Sequence, residues 1–123
     1  MTHRQSLLNS FRCAIRGIAI AIRGQRNIKI QIAIGCVVVM TGVFFQVNMQ
    51  EWITLLLCIG AVLTSEVLNC GIEYTVDLAS PEQHPLARNA KDAAAGAVMM
   101  AAIVSAIVGL MIFIPKFSDW VSR

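Results

Sequence analysis

Between Ala93 and Pro115 the chain reads AAAGAVMMAAIVSAIVGLMIFIP, without a single charge. As a helix rising about 1.5 Å per residue, such a run crosses the roughly 30 Å of hydrocarbon in a bilayer. Residues 28–47, IKIQIAIGCVVVMTGVFFQV, are long enough to do the same. A third run begins at Trp52, carries ITLLLCIGAVL, and continues as helix to about Leu78, leaving the bilayer on the way. Hydrocarbon offers no partner for backbone polar groups, so long apolar runs of this kind predict helices. The expectation is an all-α integral membrane fold with transmembrane helices at 28–47, 52–78 and 93–115. Composition supports this. The chain has 123 residues, 57% hydrophobic and 14% charged, which is more apolar than a soluble domain of that size can bury. One membrane domain over 1–123 is expected.

Residues 2–24 predict a different helix. Leu7, Phe11, Ile15, Ile18 and Ile22 recur at three and four residues, one helical stripe. Arg12, Arg16 and Arg23 gather on a neighbouring face. A basic amphipathic helix suits the membrane surface, with its arginines at lipid phosphates. An ordinary amphipathic packing helix has the same pattern. Arginines interrupt the early apolar residues, so the N-terminus does not read as a signal peptide. Gly24-Gln25-Arg26-Asn27 breaks the periodicity and predicts a bend. Lys29 and Gln31 read as side chains snorkelling to the headgroups. Val47 to Glu51 reads as a turn with Trp52 as an interfacial anchor. Pro81 and Pro85 interrupt helix, which restarts at Leu86. Ala97, Ala101, Ser105 and Gly109 form a small-residue ridge that lets helices approach closely. Cys13, Cys36, Cys58 and Cys70 have no metal-ligand spacing and read as small hydrophobes.

The basic residues orient the spans. Arg4, Arg12, Arg16, Arg23, Arg26 and Lys29 precede or open the first span, and Arg88 and Lys91 follow the second. The first loop has none. This places the N-terminus and the 79–92 loop in the cytoplasm. Lys116 and Arg123 then fall outside, in mild disagreement.

Glu66, Asn69, Glu73 and Asp77 are spaced three, four and four apart in AVLTSEVLNCGIEYTVD. On a helix they lie within about an 80° arc, Glu66 and Glu73 roughly 10 Å apart along the axis. Carboxylates in hydrocarbon cost at least about 2.5 kcal/mol each and mark function unless the helix end simply emerges into water. Carboxylates can hold Mg²⁺ and take a proton from an alcohol, and Lys91 can neutralise phosphate. These are parts of phosphoryl transfer. No P-loop or kinase glycine loop is present. A proton or ion pathway in a non-enzymatic channel or transporter subunit would explain the acids nearly as well.

Glu66-Val-Leu-Asn69-Cys-Gly-Ile-Glu73-Tyr-Thr-Val-Asp77, followed by His84-Pro-Leu-Ala-Arg-Asn-Ala-Lys91-Asp92-Ala-Ala-Ala-Gly96, resembles the prokaryotic diacylglycerol kinase and undecaprenol kinase family. That family's pattern is E-x-x-N-[ST]-A-I-E-x-x-V-D, then A-K-D with small residues. IEYTVDL, HPLA and AKDAAAGAV look more like the undecaprenol kinase branch. The resemblance covers essentially the whole chain. It implies a homotrimer in the bacterial inner membrane, with active sites shared between subunits at the cytoplasmic surface. It implies transfer of phosphate from ATP, with Mg²⁺, to a lipid alcohol: undecaprenol, with diacylglycerol as the alternative. It implies Glu66 as catalytic base and Glu73 as metal ligand, with Asn69 between them. Asp77, Glu82, Gln83, His84, Lys91 and Asp92 match nucleotide-binding positions, as do Glu73 and Asn69. Glu66, with Arg12 and Arg16, is expected at the lipid substrate. Gln25 stands where the family usually carries a second metal-binding glutamate. An amide offers Mg²⁺ an oxygen but no charge, so metal affinity is expected to fall. Cys70-Gly71 replaces the usual small polar residue and Ala.

Overall fold

The computed structural model describes residues 6–123. It contains four helices: α1 (Leu7–Gly24), α2 (Arg26–Phe44), α3 (Met49–Ala79) and α4 (Pro85–Val121). The expected surface helix over 2–24 is α1 from Leu7 onward, and residues 2–5 lie outside the described residues. The last three helices are each long and apolar enough to cross a membrane.

Ser6 opens α1, its hydroxyl accepting the Asn9 N–H at 3.4 Å. The apolar stripe of α1 is unpacked from Leu7 to Ile18, and only Ile22 at its end packs against the core. Leu7, Phe11, Ile15 and Ile18 are exposed, and Ala21 alone in α1 is buried. The expected bend falls on a single residue. Gln25 is extended (φ −114°, ψ 121°) and serves as the end of α1 and the start of α2. Ala21, Ile28 and Cys70 form the small core beneath this elbow.

The α2–α3 turn closes by two backbone bonds: the Gln46 N–H donates to the Val43 carbonyl and the Val47 N–H to the Gly42 carbonyl. This pairing requires a left-handed residue, and Gln46 supplies it at φ 53°. Asn48 and Glu51 then cap α3 reciprocally, each side chain accepting the other's backbone N–H at 2.9 Å. Gly42 admits Trp52 here, for a Cβ would sit 2.8 Å from the indole.

With 31 residues, α3 is about 46 Å long, well beyond the hydrocarbon thickness. It packs most extensively against α4, whose Ala94 and Val98 are buried. The ridge on α4 takes part: the Ser105 hydroxyl donates to the Cys58 carbonyl at 3.3 Å. The charge-free run expected as the third span closes at Pro115, and the helix that carries it, α4, continues through it to Val121. Proline removes one N–H from the ladder, which membrane helices tolerate. At this end Phe44, Phe45, Phe113, Phe117 and Trp120 cluster edge to face and tilted. Lys116 pairs with Glu51 at 3.0 Å, both only about a quarter exposed.

Candidate active site

The acid stripe lies in the second half of α3, buried at Glu66 and Asn69, half-buried at Glu73 and exposed at Asp77. Glu66 is 1% exposed and Asn69 6%, the two buried polar residues of the described chain. A buried carboxylate costs several kcal/mol unless something compensates it, so its surroundings matter.

Near the elbow, the Gln25 amide donates Nε2–H to Glu73 Oε2 at 2.8 Å. The Asn69 amide donates to the other oxygen, Oε1, at 3.3 Å. Gln25, Asn69 and Glu73 thus form one group, and the elbow positions it. Deeper along α3, the amide of Gln31 donates to Glu66 Oε2 at 3.2 Å. Gln31 was expected to snorkel outward. It turns inward instead, because α2 and α3 are antiparallel neighbours and Glu66 is the polar group at its depth.

Three oxygens in this region are buried with no partner: Gln31 Oε1, Glu66 Oε1 and Asn69 Oδ1. All three are acceptors. Each costs about 1–3 kcal/mol until a donor or cation reaches it. A hydroxyl, an ammonium or a metal ion is the kind of group that such oxygens accept.

The remaining residues line a polar cleft of about 640 Å³ at the α3–α4 connection. Asp77, Glu82, Gln83, His84, Lys91 and Asp92 all contribute to it, with Arg88 beside them. The Lys91 ammonium is ion-paired with Asp77, and Arg88 with Asp92 at 3.8 Å. These pairs are half-exposed or more and add little stability, but they fix where the cations stand. His84 has a local task as well. Its Nδ1 accepts the Leu86 N–H at 3.1 Å, capping α4 ahead of Pro85. The Ser80 hydroxyl donates to the Glu82 carbonyl at 2.9 Å and tightens the loop.

Glu73 and Asp77 are one turn apart on α3 and diverge by about 40° around its axis. One points to the elbow, the other to α4. The structure therefore joins the amide-carboxylate group to the loop cleft end to end. Arg12 and Arg16 are not brought into either; both are exposed on α1.

A second cleft, about 470 Å³ and almost wholly apolar, runs between α2, α3 and α4. Gln31 lines one end of it, and Phe113 the region of the aromatic cluster.

The chain matches the sequence profile of the family described as Prokaryotic diacylglycerol kinase over residues 12–113. It is 44% identical over 117 residues to a Bacillus subtilis protein named undecaprenol kinase, covering 93% of this chain and 95% of the relative. It is 38% identical over 111 residues to a Synechocystis protein named diacylglycerol kinase, covering 89% of this chain and 63% of the relative. A Pseudomonas aeruginosa protein named diacylglycerol kinase is 30% identical over 103 residues, 84% of each chain. No solved structure matches it.

Proposed function

The chain belongs to the prokaryotic diacylglycerol kinase family, and from that we propose that it phosphorylates undecaprenol with ATP at the cytoplasmic face of the bacterial inner membrane. As a member it is a multi-pass membrane lipid kinase. The observation that carries the finer reading is the buried Glu66, with an unpartnered Oε1, between an apolar cleft and a polar loop cleft.

A lipid alcohol must present its hydroxyl to a nucleotide that it cannot meet in hydrocarbon. Glu66 stands at that boundary. The proposed step is an in-line transfer. The acceptor's hydroxyl oxygen attacks the γ-phosphorus and its proton passes to Glu66 Oε1. The bond from γ-phosphorus to the bridging oxygen breaks, and ADP leaves. Excluding water protects the phosphate from hydrolysis, and a carboxylate that is 1% exposed meets that condition. Lys91, held by Asp77, stands in the loop cleft as a point charge for the phosphate chain. Glu82, Gln83, His84 and Asp92 border the same cleft and are read as its nucleotide contacts.

Among the described residues no three of His, Cys, Asp and Glu converge into a ready metal site. Mg²⁺ does not need one, since it binds one or two carboxylates together with substrate phosphates. Glu73 is the carboxylate that fits. Gln25 and Asn69 beside it can each turn an amide oxygen to the ion, and Asn69 Oδ1 is already unpartnered. When bound, Mg²⁺ would neutralise phosphate charge.

The exposed apolar stripe of α1 supports a place on the membrane surface, with Arg12 and Arg16 at lipid phosphates. The exposed apolar faces of the bundle leave room for lipid and for the neighbouring subunits of a trimer. Undecaprenol is preferred over diacylglycerol because the Bacillus subtilis relative is the more similar and carries that name. Transfer of labelled γ-phosphate to undecaprenol and diacylglycerol, side by side in one detergent, tests it. Faster labelling of undecaprenol is expected; preference for diacylglycerol would reverse the assignment.

A further inference from the structure

Gln31 is the one polar side chain of α2 that reaches the carboxylate of Glu66, and nothing in the transfer chemistry above uses it. Its amide donates to Glu66 Oε2 at 3.2 Å. That leaves Glu66 Oε1 buried and without a partner. Gln31 also lines the apolar cleft, so it stands where hydrocarbon meets the carboxylate. A carboxylate with free rotation about its last torsion would share two equivalent oxygens between many directions. One donated hydrogen bond removes that freedom, since a charged acceptor holds its donor more firmly than a neutral one.

We infer that Gln31 is a positioning residue, whose amide fixes one oxygen of Glu66 so that the other takes the proton of the acceptor's hydroxyl. This rests on the reading of Glu66 as the base. Gln31 touches neither the nucleotide cleft nor Glu73. Its loss therefore slows the chemical step and leaves nucleotide binding alone. The amide N–H, not the volume of the side chain, is the feature that matters, so any residue that restores a donor at that point restores rate.

The test compares Gln31→Leu, Gln31→His and Glu66→Gln in the intact membrane protein, with kcat and the KM for Mg·ATP measured separately. Leucine keeps the bulk in an apolar run and removes the donor. We expect kcat to fall about tenfold or more, as for loss of a hydrogen bond to a charged group. The KM for Mg·ATP should stay within about twofold, the remaining donor set being untouched. Histidine can donate a ring N–H and should recover most of the loss. A Gln31→Leu enzyme with wild-type kcat, beside an inactive Glu66→Gln, overturns the positioning role alone. A parallel rise in KM for Mg·ATP, or no recovery with histidine, overturns it too, by showing a general packing role. An active Glu66→Gln shows instead that the base is elsewhere, and both readings fall.

Discussion

Gln25 and Glu73 are 48 positions apart in the chain, yet the amide of one donates to the carboxylate of the other at 2.8 Å. The bond ties the junction of the first two helices to the last third of α3. It also fixes what a substitution there must do. Gln25→Glu replaces the donor with a second carboxylate, and two carboxylates in contact repel unless a cation lies between them. The variant should be less stable alone and should bind Mg·ATP more tightly, with a steeper magnesium dependence. Thermal shift against magnesium, with and without ATP, reads both. Weaker Mg·ATP binding in this variant would remove Gln25 from the metal site.

Glu66 and Glu73 should fail differently. Glu66→Gln keeps the shape and removes the base, so kcat should fall about 100-fold or more with nucleotide affinity retained. Glu73→Gln removes the charge at the metal end, so Mg·ATP should bind less well and recover in part at high magnesium. Nucleotide titrations at several magnesium concentrations separate the two. Loss of nucleotide binding in Glu66→Gln with retention in Glu73→Gln would exchange their roles.

The ion pair of Lys91 and Asp77 is half-exposed, so its contribution to stability should be below about 1 kcal/mol. Its effect should appear in binding. Lys91→Ala should raise the KM for ATP severalfold, and Asp77→Asn should raise it less, because the ammonium remains but is no longer held. The double variant should resemble Lys91→Ala rather than the product of the two. Full additivity in KM would show that Asp77 meets the nucleotide independently.

Gln46 adopts a left-handed backbone that favours glycine. Gln46→Gly should stabilise the protein by about 0.5–1 kcal/mol, through relief of that conformation net of the glycine's greater freedom when unfolded. Detergent-denaturation midpoints would register the gain, and activity should be unchanged. A lower midpoint would show that the Gln46 side chain contributes more than its backbone costs.

The helices and the shared face of the acids could be read from the chain because each repeats with a fixed period. Glu66, Asn69 and Glu73 announce one face of α3, and Gly24-Gln25-Arg26-Asn27 announces the break. Gln31 could not be read this way. A single amide near the start of an apolar run has no period, and its partner is 35 positions away. The pairing of Lys91 with Asp77 was hidden for the same reason: it depends on how α4 returns along α3. His84 ahead of Pro85 did carry a helix-start pattern, since a side-chain acceptor before a first-turn proline is a common cap. α4 runs on through Pro115 because a bundle of membrane helices tolerates the missing N–H.

The elbow between α1 and α2 is one residue long, and the side chain at its vertex is one of the two that hold Glu73. A point at the vertex of two rigid arms moves least when either arm swings. If α1 rocks with the lipid surface, its far end near Leu7 travels through a wide arc while Gln25 turns nearly in place. An α1 lying on a membrane could therefore tilt with it without dragging the carboxylate along. Had the junction been a loop of several residues, its slack would have reached Glu73.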